Sequence, residues 1–395
     1  MLTSAQRDII KATVPLLETG GEALTTHFYA ILLTEHPEVR PFFNQAHQAS
    51  GAQPRALANG VLMYARNIDR LDELGPLAAQ IVNKHVALQI QPEHYPIVGG
   101  CLLRAIREVL GAEIATDAVI DAWAAAYRQL ADILIGAEAQ MYDAVAATPG
   151  GWRGARTFRV DRKVAESSEI VSFYLVPADG AAVMDFVPGQ YIGLKLDVAG
   201  AEIRRNYSLS AASDGYGYRI SVKREAGGVA SNFLHDHVHQ GAALEVFPPA
   251  GAFKLTEGER PLVLISGGVG ITPTLAMAQA SLGGSDRQVV FIHYARNAKV
   301  HAFSEQIDRW AARYPQFSAY IVYETAEPLD RRQPNGTGRP SVEHLLEWLP
   351  TGADVDAYFL GPKPFMASIK RTLHALGVPA TQMRYEFFGP AEALV

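Results

Sequence analysis

Cysteine is almost absent from the sequence, which has 395 residues and one cysteine, Cys101. A single thiol forms no intrachain disulfide, no Cys-rich zinc site and no iron–sulfur cluster from this chain alone. Arg7, Asp8 and Lys11 interrupt any apolar stretch at the N-terminus that would act as a secretion signal. We therefore expect a protein of the reducing cytoplasm.

The sequence also lacks dense basic runs, internal repeats and low-complexity tracts. The net charge is −6, and no cluster of Lys or Arg is dense enough to bind along a phosphate backbone. Nucleic acid is therefore not an expected partner. Residues 261–285 carry no charge, but glycines and prolines divide them. This pattern favours a buried strand, a turn and a helix over a transmembrane segment.

The composition and the length of the chain indicate an ordinary globular protein of two or three domains. Hydrophobic residues make up 48% and charged residues 19%, and the length allows more than one core. Nine of the 34 glycines fall in residues 1–145, and the helix breakers of residues 148–151 follow directly on an Ala-rich helical pattern. We expect domains at 1–146, 155–258 and 259–395, with a linker at 147–154.

The periodicity of apolar residues changes at this linker. Before it, helical spacing predicts an all-α domain with helix starts near Ser4, Pro54, Pro76, Glu93 and Asp117 and breaks at Gly20, Pro41, Gly75 and Gly111. After it, short β-rich runs such as 170–176, 191–196 and 218–223 predict an antiparallel β-barrel. From Pro261 onward, strands alternate with helices, which predicts a doubly wound α/β domain with a parallel sheet.

Several polar residues stand among apolar residues in the predicted helices. His85 shares a stripe with Ile81 and Leu88, and Glu138 shares one with Leu134. Tyr95 opens the intervening helix, so a hydrogen-bonded set of His85, Tyr95 and Glu138 is sterically allowed. A histidine that merely hydrogen-bonds within the core is the ordinary alternative.

Tyr29 and Gln53 are a second pair of polar residues on apolar faces. Tyr29 lies on the face of Thr25, and Gln53 begins a stripe that continues with Leu57 and Val61. The plain alternatives are a tyrosine that donates to a backbone carbonyl and a glutamine that faces water at a helix start.

The first domain resembles the globin domain of flavohaemoglobins over residues 1–142. The resemblance rests on Phe28-Tyr29, Pro41-Phe42-Phe43-Asn44, Gln53 with Leu57, Lys84-His85 and Tyr95. It implies haem b with His85 as the iron ligand and Phe43 packed on the porphyrin. It further implies a distal pocket of Tyr29, Gln53 and Leu57, and an effect of Lys84 on the haem's redox state. The carboxylate of Glu138, with Tyr95, would make the histidine more electron-donating.

Residues 155–395 resemble the reductase half of the same family. Arg205-Asn206-Tyr207-Ser208-Leu209-Ser210 is similar to the R-x-Y-S signature of ferredoxin-NADP-reductase-like domains, and it follows Pro188-Gly189-Gln190-Tyr191. An arginine suits a flavin phosphate because its planar guanidinium donates two hydrogen bonds at once. The resemblance implies that FAD contacts Tyr191, Arg205, Asn206, Tyr207 and Ser208, and that the turn at Gly228, Val229, Ala230 and Ser231 binds its pyrophosphate.

Three further segments complete that resemblance. The turn Gly268, Val269, Gly270, Ile271, Thr272 and Pro273 follows a predicted strand and opens a helix, as a site for NADH or NADPH requires. The second nicotinamide turn of the family is matched by residues 361–366, although Leu360 stands where the family usually has cysteine. At the C-terminus, Phe387, Phe388, Gly389 and Pro390 resemble the family's flavin cover, with Glu386 as a redox-tuning residue.

Together these features predict an NAD(P)H-dependent nitric oxide dioxygenase that detoxifies nitric oxide. A hydride would give two electrons to FAD, FAD would pass them singly to haem, and haem with oxygen would convert nitric oxide to nitrate. The alternatives are a gas-binding haemoglobin with an auxiliary reductase, and an NAD(P)H-driven reductase of peroxides, quinones or ferric complexes. We expect a monomer that binds small molecules, with the choice between NADH and NADPH left open by Arg296.

Overall fold

The computed structural model describes residues 2–43, 51–328, 330, 332–350 and 352–388. The chain forms two compact units: the first has the helices up to Ala147 together with Ala201–Arg204, and the second has the rest of both β-sheets. Of the predicted site residues, Gly389 and Pro390 lie outside the described residues, as does Asn44 of the globin resemblance.

The first unit is helical, as predicted. In the described residues its α-helices are Ser4–Glu35, Ala52–Arg66, Gly75–Leu88, His94–Leu110 and Asp117–Ala147. A capping box begins the first helix, because Gln6 N donates to Thr3 Oγ1 and Thr3 N donates to Gln6 Oε1.

The predicted break at Gly20 is wrong. The first helix continues through Gly20 and Gly21, and Gly21 is buried within it. Thr25 Oγ1 donates to the carbonyl of Pro54 at 2.8 Å, so this part of the helix packs directly on Ala52–Arg66. This tertiary contact outweighs the cost of a glycine in a helix, which is about 1 kcal/mol.

An antiparallel sheet opens the second unit, and its fold confirms the predicted barrel. Its strands are β1 (Arg156–Ala165), β2 (Ile170–Pro177), β3 (Tyr191–Val198), β4 (Ala201–Ser208), β5 (Tyr218–Lys223) and β6 (Ala243–Val246), in the order β4-β3-β6-β1-β2-β5. A bridge between Leu209 and Ile220 joins the chain after β4 to β5 at the opposite edge. The sheet therefore curls into a barrel around buried side chains such as Phe158 and Phe173.

The second sheet is parallel and doubly wound, as predicted. Its strands are β7 (Leu262–Gly267), β8 (Val289–Ala295), β9 (Phe317–Tyr323), β10 (Gly336–Thr337), β11 (Asp356–Leu360) and β12 (Met383–Tyr385), in the order β10-β9-β8-β7-β11-β12. The helices Ile271–Gly284, Ser304–Arg313, Val342–Trp348 and Lys363–Ala375 connect them. The strand order reverses between β7 and β11, so a ligand crevice is expected at the carboxyl ends of these two strands.

The charge-free residues 261–285 form β7, a glycine turn and a helix, which confirms their assignment to a buried core. Ten residues of the helix Ile271–Gly284 are buried, which accounts for the lack of charge. Within the part of the chain that the structure describes, no helix has the length and apolar character needed to cross a bilayer.

Candidate functional site

His85 lies in the last turn of the helix Gly75–Leu88, and a buried carboxylate fixes its ring. Nδ1 of His85 is 2.7 Å from Oε1 of Glu138 and 3.1 Å from the hydroxyl of Tyr95. An ionised carboxylate only accepts, so Nδ1 carries the proton and Nε2 keeps its lone pair. Among the described residues, no side chain occupies Nε2 of His85. The imidazole therefore offers one nitrogen to a ligand.

Tyr95 stabilises the same carboxylate. Its hydroxyl donates to Oε1 of Glu138 at 2.6 Å, and Glu138 is only 2% exposed. Burial and this hydrogen bond raise the pKa of Tyr95, so the hydroxyl stays protonated and continues to donate. The structure thus brings together the three residues that the sequence suggested as a set.

Tyr127 also positions this set, although it is not among the predicted site residues. Its hydroxyl donates to the backbone carbonyl of Tyr95 at 2.7 Å. A Cβ at Gly99 would lie 2.5 Å from the Tyr127 ring, so this helix passes the ring only because Gly99 has no side chain. The two consecutive glycines at 99 and 100, inside a predicted helix, were the available signal.

Tyr29 and Gln53 meet where the first two helices of the globin unit pack together. Tyr29 is 7% exposed, and Gln53 hydrogen-bonds its hydroxyl. Burial raises the pKa of Tyr29, so its hydroxyl is a neutral donor at physiological pH. The ring of Phe43 stands edge-on to that of Tyr29 at 5.5 Å. The predicted distal residues Tyr29 and Gln53 are therefore in direct contact.

The stripe that carries His85 is half-buried, whereas the next face of the same helix is fully buried. Ile81 and Leu88 are partly exposed, as are Phe43 and Leu57, while Val82 lies in the core. Haem is a flat, largely apolar ring whose iron binds an imidazole nitrogen. It therefore needs an apolar surface of this kind beside that nitrogen. The side chains present in the globin unit thus fit haem. Lys84 is half-buried beside His85 in the sequence and makes interactions of its own.

In the second unit, β4 carries Arg205 and Tyr207, with Ser208 at its end. Burial lowers the pKa of Arg205, and the Tyr207 hydroxyl opposes this shift. Asn206, between them, is exposed, as expected for alternating residues of a strand. Arg205 and Tyr207 therefore share one face, as two residues that hold the same ligand must.

Arg219 fixes the end of this motif and was not predicted. Its guanidinium donates to Oγ of Ser210 at 3.1 Å and to the carbonyl of Ser210, and the side chain is almost fully buried. Ser210 Oγ is in turn 2.7 Å from Ser221 Oγ on β5. These bonds hold the segment after Ser208 in register with β5. The sequence does not predict these hydrogen bonds, because Arg219 looks like an ordinary polar residue of a strand.

Tyr191 begins β3 at a place where the backbone approaches closely. A Cβ at Gly251 would lie 2.7 Å from the Tyr191 ring, so glycine is required there. Burial raises the pKa of Tyr191, and the nearby carboxylate of Glu386 raises it further. The structure thus brings the predicted residues Tyr191 and Glu386 into one neighbourhood.

The turn after β5 precedes the helix Val229–His237. Gly227 has a φ of +71°, and Gly228 is the N-cap of the helix. Ser231 Oγ accepts a hydrogen bond from Glu225 N at 3.2 Å, which closes the turn. Ala230 is buried and Val229 is 52% exposed. The first N–H groups of this helix are therefore arranged as an anion site requires.

The two predicted nucleotide turns touch each other across the switch point. Residues Gly268–Gly270 form a 3-10 turn after β7, and Ile271, Thr272 and Pro273 begin the following helix as buried residues. A Cβ at Gly270 would lie 2.3 Å from the carbonyl oxygen of Leu360, at the end of β11. The family's cysteine position is thus occupied by a buried leucine that packs on the glycine turn.

The described C-terminal residues form an aromatic segment after β12. The ring of Phe387 stands edge-on to that of Tyr385 at 6.0 Å, and Phe388 is 48% exposed. Gly389 and Pro390 stay predictions, since they lie outside the described residues.

Comparison with known proteins agrees with this arrangement. The Globin model matches residues 26–134, the Oxidoreductase FAD-binding domain model residues 157–255 and the Oxidoreductase NAD-binding domain model residues 264–371. A flavohemoprotein of Pseudomonas putida is 66% identical and one of Pseudomonas aeruginosa 64% identical, each over 100% of both chains. The chain belongs to the flavohemoprotein family. The resemblance seen in the sequence is thereby confirmed, and the protein is an oxidoreductase.

Solved structures match this flavohemoprotein in whole and in part. A flavohemoglobin from Malassezia yamatoensis, with bound FAD and heme, has a TM-score of 0.84 and 26% identity, and the match covers 98% of this chain and 100% of that chain. The FAD/NAD-binding domain of a nitric oxide dioxygenase from Vibrio cholerae is 38% identical with a TM-score of 0.55. That match covers 60% of this chain and 100% of that chain.

Proposed function

We propose that this flavohemoprotein is an NAD(P)H-dependent nitric oxide dioxygenase that converts nitric oxide and oxygen to nitrate. The observation that carries the proposal is the hydrogen-bonded His85–Glu138–Tyr95 set in a globin that continues, in one chain, into two oxidoreductase domains. Each turnover oxidises the haem, so an attached reductase is needed for the next one. A globin that only stores a gas has no such need.

We assign the haem to Nε2 of His85, with Phe43 packed on the porphyrin. When bound, haem supplies the iron at which oxygen and nitric oxide react, and FAD divides the hydride's two electrons into single electrons. Glu138 accepts a hydrogen bond from the Nδ1–H of His85 and thereby makes the imidazole a stronger electron donor. Tyr95 keeps the carboxylate in place through its own hydrogen bond.

On the other side of the haem, we assign substrate positioning to Tyr29, Gln53 and Leu57. The Tyr29 hydroxyl is protonated and buried, so it can donate to an oxygen atom that gains negative charge. Gln53 hydrogen-bonds that hydroxyl and sets its direction. Leu57 is half-buried and would limit the size of the pocket and the entry of water.

In the reductase half, we assign FAD to the face of β4 and to the helix Val229–His237. Arg205 would donate to a phosphate, Tyr207 and Ser208 would hold the isoalloxazine, and the Gly228–Ser231 turn would bind the pyrophosphate with its N–H groups. The Gly268–Pro273 turn would bind NAD(P)H. Lys84 and Glu386 would tune the potentials of haem and flavin, as charged groups near a redox centre do.

We also propose that the globin, FAD and NAD(P)H domains span residues 1–146, 155–258 and 259–395. The reaction is placed in the cytoplasm, because a chain with one cysteine, buried in the globin core, suits a reducing compartment. A monomer is sufficient, since one chain carries all three domains; light scattering of the purified protein tests this.

The experiment that tests the function is nitric oxide consumption under air with excess NADH. The purified protein should remove many equivalents of nitric oxide per haem, with nitrate as product and matching NADH oxidation. A gas-binding haemoglobin would instead stop after about one equivalent per haem. NADH oxidation that responds to peroxide, quinone or ferric complexes and not to nitric oxide would favour the other reductase activities.

A further inference from the structure

The strand that carries the flavin motif begins in the globin unit. Ala201–Arg204, the first half of β4, groups with the globin helices, whereas Arg205 and the rest of the strand belong to the second unit. Successive residues of a strand point to opposite faces, so Arg204 points away from the face that Arg205 and Tyr207 share. One strand therefore has the proposed flavin contacts on one face and a globin contact on the other.

Arg204 is held at the end of the helix that carries His85. Its Nη1 donates to the carbonyl oxygen of Leu88 at 2.6 Å, and its Nε donates to Oε1 of Glu202 at 2.7 Å. Leu88 is the last residue of the helix Gly75–Leu88 and follows His85 by three residues. Only 16% of the Arg204 side chain is exposed, so water competes little for these hydrogen bonds.

The hydrogen bond to Leu88 completes the end of that helix. The last carbonyls of an α-helix have no partner within the helix, and they carry partial negative charge. The carbonyls of His85 and Val86 accept from the backbone N–H groups of the two residues that follow the helix. Arg204 supplies the donor for Leu88, and its positive charge is favourable at this end. The guanidinium thus fixes the turn in which His85 lies.

Arg204 also packs on the aromatic residue that precedes Phe43. Its guanidinium carbon lies 4.5 Å from the centroid of the Phe42 ring, and the centroid of the His94 ring lies 4.6 Å from the same point. An aromatic face attracts a cation more strongly when water is excluded. Burial lowers the pKa of His94, and the charge of Arg204 acts in the same direction. Arg204 therefore contacts the neighbour of Phe43 and lies near the neighbour of Tyr95.

We infer that Arg204 anchors β4 on the globin unit and is a positioning residue for the transfer of one electron from reduced FAD to ferric haem. The inference rests on the proposed sites of haem at His85 and of FAD at Arg205. Arg205 directly follows Arg204, so the residue that would hold a flavin phosphate is one peptide bond from the residue that holds the turn of His85. A misplacement of about 1 Å can slow a positioned reaction by about 100-fold.

The test follows both electron steps in the full-length holoprotein, which is mixed with NADH without oxygen in a stopped-flow spectrometer. Flavin absorbance reports the first step and haem absorbance the second. Arg204→Ala should slow haem reduction by about tenfold or more. Its flavin reduction, its haem and FAD content and both midpoint potentials should match those of the wild type. Unchanged potentials mean an unchanged driving force, so the slower step then reports position.

Arg159→Ala is the matched control. Arg159 is also a barrel arginine with a carboxylate partner two residues away on its strand, Asp161, but its side chain is 52% exposed. Its haem reduction should stay within about twofold of wild type. Arg204→Lys keeps the charge but lacks the planar guanidinium that reaches Leu88 and Glu202 at once. It should slow haem reduction at least about threefold, and it supplies the measurement if Arg204→Ala does not fold.

The inference is overturned by a wild-type rate of haem reduction in Arg204→Ala or Arg204→Lys, or by an equal slowing in Arg159→Ala. A shift of the haem potential that accounts for the slower step also overturns it, because Arg204 would then act through its charge and not through position. If NADH reduces the flavin of the wild type and the haem stays ferric, the result contradicts the proposed electron path itself.

Discussion

The Glu138 carboxylate accepts a hydrogen bond from the Nδ1–H of His85 at 2.7 Å, and only 3% of the Glu138 side chain is exposed. The two residues come from helices Gly75–Leu88 and Asp117–Ala147, so the contact forms only when the globin unit has folded. A buried carboxylate is costly unless it is hydrogen-bonded. Here the Glu138 carboxylate is hydrogen-bonded, and in return it makes the His85 imidazole a stronger electron donor.

His85→Ala should express with FAD and with little haem. The iron loses its proposed protein ligand, while the second unit keeps its own core. Absorbance of the purified protein reports both cofactors. His27→Ala, which removes an exposed histidine paired with Glu108, is the matched control and should retain haem. Normal haem content in His85→Ala would place the ligand elsewhere.

Glu138→Gln should keep haem but raise the reduction potential of the iron, because the imidazole then lacks an anionic partner. Loss of such a partner lowers activity by about 10- to 100-fold in metal sites. Spectroelectrochemistry and nitric oxide turnover measure the two effects. Asp132→Asn removes an exposed carboxylate from the same helix, and an equal effect there would show that charge alone is responsible.

Tyr29→Phe should keep both cofactors and release oxygen about tenfold faster, since one hydrogen bond is lost. Stopped-flow release of oxygen measures this. Burial raises the pKa of Tyr29, so the wild-type rate should stay constant through pH 10, where an ordinary tyrosine ionises. Tyr64→Phe removes another buried hydroxyl, which donates to the Ala126 carbonyl, and should release oxygen at the wild-type rate.

Arg205→Ala should lower FAD occupancy and leave the haem spectrum intact. The proposed phosphate contact is a charge-assisted hydrogen bond, worth about 1.5 to 3 kcal/mol and hence roughly 10- to 100-fold in FAD affinity. Flavin absorbance after gel filtration measures the loss. Arg159→Ala, on the exposed side of β1, should retain flavin. Full flavin retention in Arg205→Ala would contradict the assignment of the phosphate.

Gly270→Ala should impair NAD(P)H oxidation and destabilise the nucleotide domain by about 1 to 3 kcal/mol. The added methyl group would lie 2.3 Å from a backbone oxygen of Leu360, which cannot rotate away. Thermal unfolding and NADH-driven ferricyanide reduction measure the two effects. Gly283→Ala, in the helix Ile271–Gly284 that follows this turn and with open space around it, should have neither defect.

The type of each domain could be predicted because it depends on local patterns. The structure confirms the helices predicted before Ala147, the strands predicted after it and the glycine turn predicted after β7. The failure at Gly20 has the opposite cause. The free-energy cost of a glycine within a helix is outweighed by the packing of Thr25 on the helix Ala52–Arg66. That contact cannot be read from any short stretch of the sequence.

The sequence by itself determined which residues are chemically suited to the site: His85 on an apolar stripe, Arg205 in its motif and Gly270 in its turn. Only the tertiary structure decided what they contact. The bond from His85 to Glu138 spans 53 residues and the ion pair from Arg296 to Glu169 spans 127. Such contacts depend on how helices and sheets pack, and packing is set by the whole core and not by the residues near either partner.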